Sequence, residues 1–115
     1  MLKLFIAVCL VESGNDPDAV NQKEQAYGVA QIRQCCVDDL NRHYRTDFKL
    51  HDFTDPRLSA WAFHHYGLMY GAKTPEEFAR IWNGGPDGAE QNCTLEYWER
   101  VKRRIEDVSR HEKND

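Results

Sequence analysis

The first residue that could do chemistry is Glu12, which stands at the end of an apolar run. Leu10 and Val11 precede it directly, and further apolar residues lie one or two helical turns back. Burial and the negative end of a helix dipole both disfavour a carboxylate, so the pKa of Glu12 would be raised. A carboxyl group that keeps its proton near neutral pH can donate it to a glycosidic oxygen. The plainer alternative, which position alone favours, is an ordinary glutamate at a fraying helix end.

A second candidate is the segment of residues 83–86, Asn-Gly-Gly-Pro, which follows a short amphipathic stretch. We expect a tight loop after a helix, where Gly84 and Gly85 let a ligand approach the backbone closely. Such a loop can offer amide donors and carbonyl acceptors to the N-acetyl group of a sugar. A plain helix-ending turn is the alternative.

Other residue types narrow the chemistry. Aromatic side chains could stack on sugar rings, although aromatics at helical spacing more often belong to a core. Tyr97 lies off the apolar stripe of its predicted helix, so we expect its hydroxyl to be free for polar contacts. The histidines form no HExxH pattern and the cysteines form no CxxC pattern, so we expect neither a metal nor a cofactor.

Composition and charge bound the class of protein. The chain has 115 residues, is 41% hydrophobic and carries a formal net charge of −4. These values predict one packed domain over residues 1–115 and disfavour a sequence-independent nucleic-acid binder. The basic run of residues 102–104 is interpreted as a solvated helix face.

The elements that must position these residues are predicted to be helical. We interpret residues 1–11 as a buried first helix, because the apolar run is too short to span a membrane and no cleavage region follows it. A short signal peptide is the alternative for this run. Gly14 and Pro17 would end the helix. Residues 19–30 show no helical period and predict a loop or a short hairpin.

Further helices are predicted over residues 34–45, 55–71, 74–82 and 94–108. Pro56 and Pro75 suit the first helical position, while Thr74 and Thr94 suit the N-cap. The expected fold is therefore a mainly α single domain of about five to six helices, with little or no β-sheet.

The cysteines leave two alternatives open. An even count of four permits disulfides but does not require them. Buried free thiols in a reducing compartment are slightly favoured. If a bridge exists, it would join Cys35 or Cys36 to Cys93 or Cys9.

Four short motifs, taken in order, resemble the soluble lytic transglycosylase (SLT) domain of the lysozyme-like superfamily. They are Glu12-Ser13, residues 28–32 (Gly-Val-Ala-Gln-Ile), residues 82–85 (Trp-Asn-Gly-Gly), and the threonine and tyrosine of residues 94–97. The resemblance spans residues 4–105 and looks most like compact phage-encoded or gut-bacterial members. It implies a lysozyme-like fold, and it overturns the plainer alternatives for Glu12 and for residues 83–86.

Carried over residue by residue, the resemblance implies that Glu12 is catalytic, acting first as general acid and then as general base. The implied substrate-binding and supporting residues are Ser13, Gln31, Trp82, Asn83, Gly84, Gly85 and Tyr97. Ser13 would support the site, and Tyr97 would point its hydroxyl towards Glu12 or the substrate. Two positions depart from the family pattern, because Trp82 replaces a tyrosine and the proline expected soon after Gln31 is missing.

The implied substrate is peptidoglycan, cleaved at the β-1,4 bond between N-acetylmuramic acid (MurNAc) and N-acetylglucosamine (GlcNAc). A lytic transglycosylase forms a 1,6-anhydro product with one carboxylate, and this ending is favoured because no motif marks a second acid. A hydrolytic muramidase, such as a lysozyme or phage endolysin, needs a second carboxylate. The candidates for it are Asp16, Asp18, Glu24 and Asp39.

Two classes without glycosidase activity stay open: a muropeptide-binding module, and an extracellular inhibitor or toxin stapled by disulfides. The expected partner is the peptidoglycan glycan strand, with no nucleic acid and no membrane span, and we expect a monomer. The expected place of action is the bacterial cell wall, in the periplasm or outside the cell. A phage-encoded protein made in the host cytoplasm without a cleaved signal peptide would fit this pattern.

Overall fold

Five α-helices and one small sheet make up the fold in the computed structural model, which describes residues 2–114 and the side chains of residues 2–111. The helices are α1 (Leu2–Ser13), α2 (Gln34–Tyr44), α3 (Pro56–Met69), α4 (Pro75–Gly84) and α5 (Leu95–Asn114). The strands are β1 (Val20–Asn21), β2 (Ala26–Tyr27) and β3 (Ile32–Arg33). Short 3₁₀ turns cover Leu50–Thr54, Gly88–Glu90 and Asn92–Thr94. The predicted mainly α, lysozyme-like fold with little sheet is confirmed.

Helix α1 brings Glu12 into its last turn and ends where the sequence predicts. Gly14 follows the helix with a left-handed φ of +68°, and its N–H donates to the Leu10 carbonyl at 3.1 Å. The helix prediction for residues 1–11 is confirmed from Leu2 onward, while Met1 lies outside the described residues. None of the helices in the described part of the chain is long and apolar enough to cross a membrane.

The sheet is antiparallel in the order β1-β2-β3, with Val20 opposite Tyr27 and Ala26 opposite Arg33. The hairpin expected within residues 19–30 is therefore present, and β3 extends it. Gly28 follows β2 with a φ of +84°, and a Cβ there would lie 2.0 Å from the Phe53 carbonyl oxygen. Only glycine allows this contact, which fixes the hairpin against the Leu50–Thr54 turn.

Helix α4 corrects part of the prediction for residues 83–86. Asn83 and Gly84 are the last two residues of the helix, and the N–H of Gly85 still donates to the Ile81 carbonyl at 2.8 Å. Gly85 and Pro86 lie after the helix, where the loop was expected. Gly84 lies inside the helix, and a Cβ there would come within 2.6 Å of the Thr94 methyl carbon. Gly85, with a φ of +87°, then turns the chain away. Asn83 is therefore held by helical backbone.

Helix α5 packs mainly against α1. It continues beyond Val108, where the sequence predicted that it fades, to Asn114. The expectation that Tyr97 lies off the buried stripe is wrong, since Tyr97 is 3% exposed whereas Leu95 is 43% exposed. Thr94, directly before the helix, is held in place, because its buried hydroxyl accepts from Arg80 Nε at 2.8 Å and donates to the Gly88 carbonyl at 2.7 Å.

All four cysteines are free thiols, so the alternative bridge from Cys35 or Cys36 to Cys93 or Cys9 is absent from the structure. The prediction that the thiols are buried holds for Cys9 and Cys36 and is wrong for Cys35 and Cys93, which are exposed.

Candidate active site

Glu12 is the chemical centre of the candidate site. Its side chain is partly buried, and its Oε2 accepts a hydrogen bond from the Tyr97 hydroxyl at 2.9 Å. Burial raises the pKa of Glu12 from 4.5 to about 7, although the Tyr97 hydrogen bond and the charges of Arg33 and Arg100 act in the opposite direction. A substantial fraction of Glu12 therefore carries a proton at neutral pH, as a general acid requires.

A cleft opens beside Glu12 between α1, the third strand, α2, α3 and the end of α4. Its lining consists of Glu12, Gln31, Ile32, Arg33, Cys35, Cys36, Tyr66, Trp82, Asn83, Gly84 and Gly85. Six residues named from the sequence thus line one cleft: Glu12, Gln31, Trp82, Asn83, Gly84 and Gly85.

Gln31 faces the cleft from the turn between β2 and β3. Its φ of +55° is left-handed, and its Nε2 donates to the carbonyls of Gly28 at 3.0 Å and Ala19 at 3.3 Å. These contacts fix the amide group and occupy its donors. No donor from the described residues reaches Oε1, so this oxygen can accept from a bound hydroxyl or amide.

Trp82 forms one wall of the cleft, and contacts with the rest of the protein hold its ring in place. Its Nε1 donates to the Ala30 carbonyl at 2.9 Å, and its ring meets Phe63 and Tyr66 edge to face. The indole N–H is therefore used within the protein, and the ring offers an apolar surface.

Ser13 and Tyr97 support the site from outside the cleft lining. The Ser13 hydroxyl donates to the Val29 carbonyl at 2.7 Å and accepts from the Asp16 N–H at 3.0 Å, which ties the end of α1 to the turn that carries Gln31. Tyr97 reaches Glu12 from α5. Both contacts restrict where the Glu12 carboxyl group can lie.

Comparison with known proteins shows the family to which the chain belongs. No family model matches the chain. A lysozyme of Magallana gigas is 33% identical over 100 residues, which cover 82% of this chain and 72% of that protein. The chain belongs to the lysozyme family. The finer resemblance to SLT domains stays a prediction.

In this lysozyme-family chain, four cleft residues were not placed in the site by the sequence: Ile32, Arg33, Cys35 and Cys36. Arg33 gave no usable signal, because its strand has only two residues and Gln31 before it lies in a turn with a left-handed φ of +55°. Tyr66, one of the aromatics that could stack on sugar rings, also lines the cleft. It lies in the middle of α3 and is 5% exposed, so the sequence alone does not distinguish it from an ordinary core aromatic.

The second carboxylate expected of a hydrolytic lysozyme does not line the cleft, since Glu12 is the only acidic residue among the described cleft residues. Of the candidates, Glu24 is the one whose charge raises the pKa of Glu12. Asp39 instead accepts from the Tyr70 hydroxyl at 3.0 Å, and Asp16 accepts from the Asp18 N–H at 2.9 Å. Among the described residues, no group of three or more His, Cys, Asp or Glu side chains could hold a metal ion.

Proposed function

We propose that this lysozyme-family chain is a glycosidase that cleaves peptidoglycan at the MurNAc-β-1,4-GlcNAc bond, and that it acts at the bacterial cell wall. The observation that carries the proposal is Glu12, a partly buried carboxyl group beside a cleft, whose pKa is raised to about 7. The similarity to a lysozyme supports the same reaction class.

In the first step, Glu12 donates its proton to the glycosidic oxygen. The bond between that oxygen and the muramoyl C1 breaks, and positive charge develops on the ring. Glu12 becomes a carboxylate at this moment, and the Tyr97 hydroxyl, 2.9 Å away, already donates to it. Asn83, Gln31 and the backbone at Gly84 and Gly85 would hold the two sugars.

We propose that the second step is an intramolecular transfer, as in a lytic transglycosylase. The Glu12 carboxylate takes the proton of the muramoyl 6-hydroxyl, O6 bonds to C1, and a 1,6-anhydro ring forms while Glu12 regains its proton. This route needs one carboxylate, and Glu12 is the only acidic residue among the described residues that line the cleft.

A hydrolytic ending is the second candidate, and Glu24 is the observation that favours it. Its charge acts on Glu12, and it stands on the turn between β1 and β2 at the edge of the site. In this route Glu24 would take a proton from a water molecule whose oxygen bonds to C1. Glu24 would first have to leave Arg33, whose Nη2 lies 3.3 Å from its Oε2.

The test is digestion of purified peptidoglycan, followed by mass spectrometry of the released muropeptides. Wild type should give anhydro products, each lighter by one water than the hydrolytic product. Glu12→Gln should lose at least about a hundredfold in rate. Glu24→Gln should give the same products as wild type. The control is Glu96→Gln, an exposed acid at the start of α5, whose rate should match wild type.

Two results would change the assignment. Hydrated reducing ends, together with a large loss in Glu24→Gln, would make the protein a muramidase. Equal release by wild type and Glu12→Gln would remove the catalytic role of Glu12. If wild type binds the wall but releases no muropeptides, the protein would be a muropeptide-binding module.

A further inference from the structure

The cleft contains a positive charge that the reaction proposed above does not use. Arg33 is the only cationic residue among the described residues that line the cleft. Its side chain is 51% exposed, and its Nη2 lies 3.3 Å from Oε2 of Glu24. An ion pair at this exposure contributes little to stability, so a structural role does not account for its position.

The backbone and Glu24 hold Arg33 in place before any ligand binds. Arg33 pairs with Ala26 at the end of the sheet and directly precedes α2. Asn21 contacts both the backbone and the side chain of Glu24, since the Glu24 N–H donates to Asn21 Oδ1 at 3.2 Å and Glu24 Oε2 accepts from Asn21 Nδ2 at 3.4 Å. The guanidinium group has five N–H donors in a planar fork, and among the described residues only Nη2 has an acceptor. The remaining donors are available to a ligand.

The charge of Arg33 reaches the reacting group. It lowers the pKa of Glu12, which places the two side chains within electrostatic range of each other in the same cleft. The chain as a whole carries a net charge of −4, so an anionic ligand would meet repulsion elsewhere on this surface. Arg33 offers such a ligand a local positive partner beside Glu12.

We propose that Arg33 is a specificity-determining residue, whose guanidinium group binds a carboxylate of the substrate next to the cleaved bond. The inference rests on the proposed function and deepens it. Peptidoglycan carries carboxylates on its stem peptides and, where MurNAc bears no peptide, on the lactyl group, whereas a glycan of GlcNAc alone carries none. Planar, two-bonded recognition of a carboxylate is the contact for which arginine is best suited.

The test compares wild type with Arg33→Gln on two walls: native peptidoglycan, and the same wall with its carboxylates converted to neutral amides. On the native wall, Arg33→Gln should lose about tenfold in kcat/KM. Amidation of the wall should lower the kcat/KM of wild type by a similar factor. It should not lower the kcat/KM of Arg33→Gln any further, because the substitution and the amidation remove the same contact. Arg33→Lys should recover part of the loss.

A uniform effect would overturn the proposal. If Arg33→Gln loses the same factor on native and amidated wall, Arg33 acts through the pKa of Glu12 and not on the substrate. Unchanged activity on the native wall would overturn it as well. The matched control is Arg42→Gln, which removes another arginine paired with an acid, Asp39, away from the cleft. It should behave as wild type on both walls.

Peptide-free glycan strands, in which removal of the stem peptide exposes the lactyl carboxylate, distinguish the two sources. A tenfold loss on these strands assigns the contact to the lactyl group, and a loss confined to peptide-bearing wall assigns it to the stem peptide. If wild type releases no product from any wall, the proposed function fails. The contact is then tested by sedimentation of native and amidated wall with Glu12→Gln, alone and combined with Arg33→Gln.

Discussion

The raised pKa of Glu12 suits its proposed role as an acid but lowers the stability of the fold at alkaline pH. Burial raises its pKa from 4.5 to about 7, so the folded protein binds this proton more tightly than the unfolded chain does. Between these two values, unfolding releases a proton, and the free energy of unfolding therefore falls as pH rises. The stabilising contribution is complete below the unfolded pKa and is lost as pH passes through the folded pKa. Keeping an acid protonated for catalysis thus weakens the fold at alkaline pH.

We expect Glu12→Gln to be more stable than wild type at alkaline pH, because the amide stays neutral. The shift from 4.5 to about 7 corresponds to about 3 kcal/mol in the free energy of unfolding. Urea denaturation should show a gain of about 2–3 kcal/mol near pH 8 and nearly equal stabilities near pH 4. A difference that does not change with pH would show that Glu12 is not perturbed in the folded state.

The Tyr97 hydroxyl also affects the pKa of Glu12. Because it donates to Oε2 of Glu12 at 2.9 Å, it favours the carboxylate and lowers the pKa of Glu12. Activity needs protonated Glu12 and falls as pH rises through that pKa. Tyr97→Phe keeps the buried ring and removes the donor, so the alkaline limb of the pH–rate profile should move up by about one pH unit.

The control for this profile is Tyr70→Phe, which removes a hydroxyl that donates to Asp39 at 3.0 Å, outside the cleft. Its alkaline limb should coincide with that of wild type. A Tyr97→Phe profile that is lower at every pH but not displaced would mean that Tyr97 only positions Glu12.

At the scale of elements, Arg80 joins the helix that forms one cleft wall to the helix that supports Glu12. Arg80 is 8% exposed and lies in α4, below the turn that carries Asn83. Its Nε donates to the Thr94 hydroxyl at 2.8 Å, and its Nη2 donates to the Gln91 carbonyl at 2.9 Å. Thr94 directly precedes α5, and Gln91 lies four positions before the helix. The guanidinium group therefore sets the distance between the cleft wall and Tyr97.

We expect Arg80→Met to fill most of the same space while leaving these acceptors without their donor. The free energy of unfolding should fall by about 3 kcal/mol, since a buried charged group loses its network. Thermal unfolding should register this as a Tm lower by about 10 °C or more. Glu76→Gln, which changes the half-exposed partner of Arg80 Nη1, should cost less than about 1 kcal/mol. Equal losses in the two variants would contradict a role for the Thr94 and Gln91 contacts.

Local sequence signals made the helices predictable. The features that could not be predicted, such as the third strand and the end of α4, involve contacts between residues that are apart in sequence. Asp55 accepts from the Arg57 N–H and Thr74 accepts from the Glu77 N–H, which are caps readable from neighbouring residues alone. The third strand is two residues long and leaves no periodic pattern. At Gly84, the last residue of α4, a side chain would collide with Thr94, ten positions away in sequence, and no local pattern reports this proximity.

The site residues also differ in whether local sequence or tertiary packing determines their place. Glu12 was predictable as a candidate because an acid that ends an apolar helix is unusual, and motif order then set it apart from an ordinary helix end. The burial of Tyr97 depends on how α5 rotates against α1, and the apolar stripe alone suggested a different face. Arg33 could not be placed from strand alternation, because its strand has only two residues and the preceding Gln31 has a left-handed φ of +55°.

At the scale of the whole molecule, the site is assembled from both ends of the chain. Glu12 and Tyr97 are 85 positions apart, and their hydrogen bond depends on the packing of α1 against α5. The chain as a whole carries more acidic than basic residues, with 19 against 15, although its substrate class under the proposed function is itself rich in carboxylates. Long-range repulsion should therefore slow the first encounter, and Arg33 acts only once the substrate lies in the cleft.

Salt should consequently increase the initial rate on native peptidoglycan. At about 10 mM ionic strength the Debye length is about 30 Å, so the net charge of −4 acts over most of the distance of approach. Near 150 mM it falls to about 8 Å, which screens the repulsion but leaves the short contact of Arg33 largely intact. We expect clearance of a wall suspension to accelerate several-fold between these conditions. Wall with amidated carboxylates should show little change, because one partner has lost its charge. A rate on native wall that falls steadily with salt would mean that a local positive surface, and not the net charge, governs encounter.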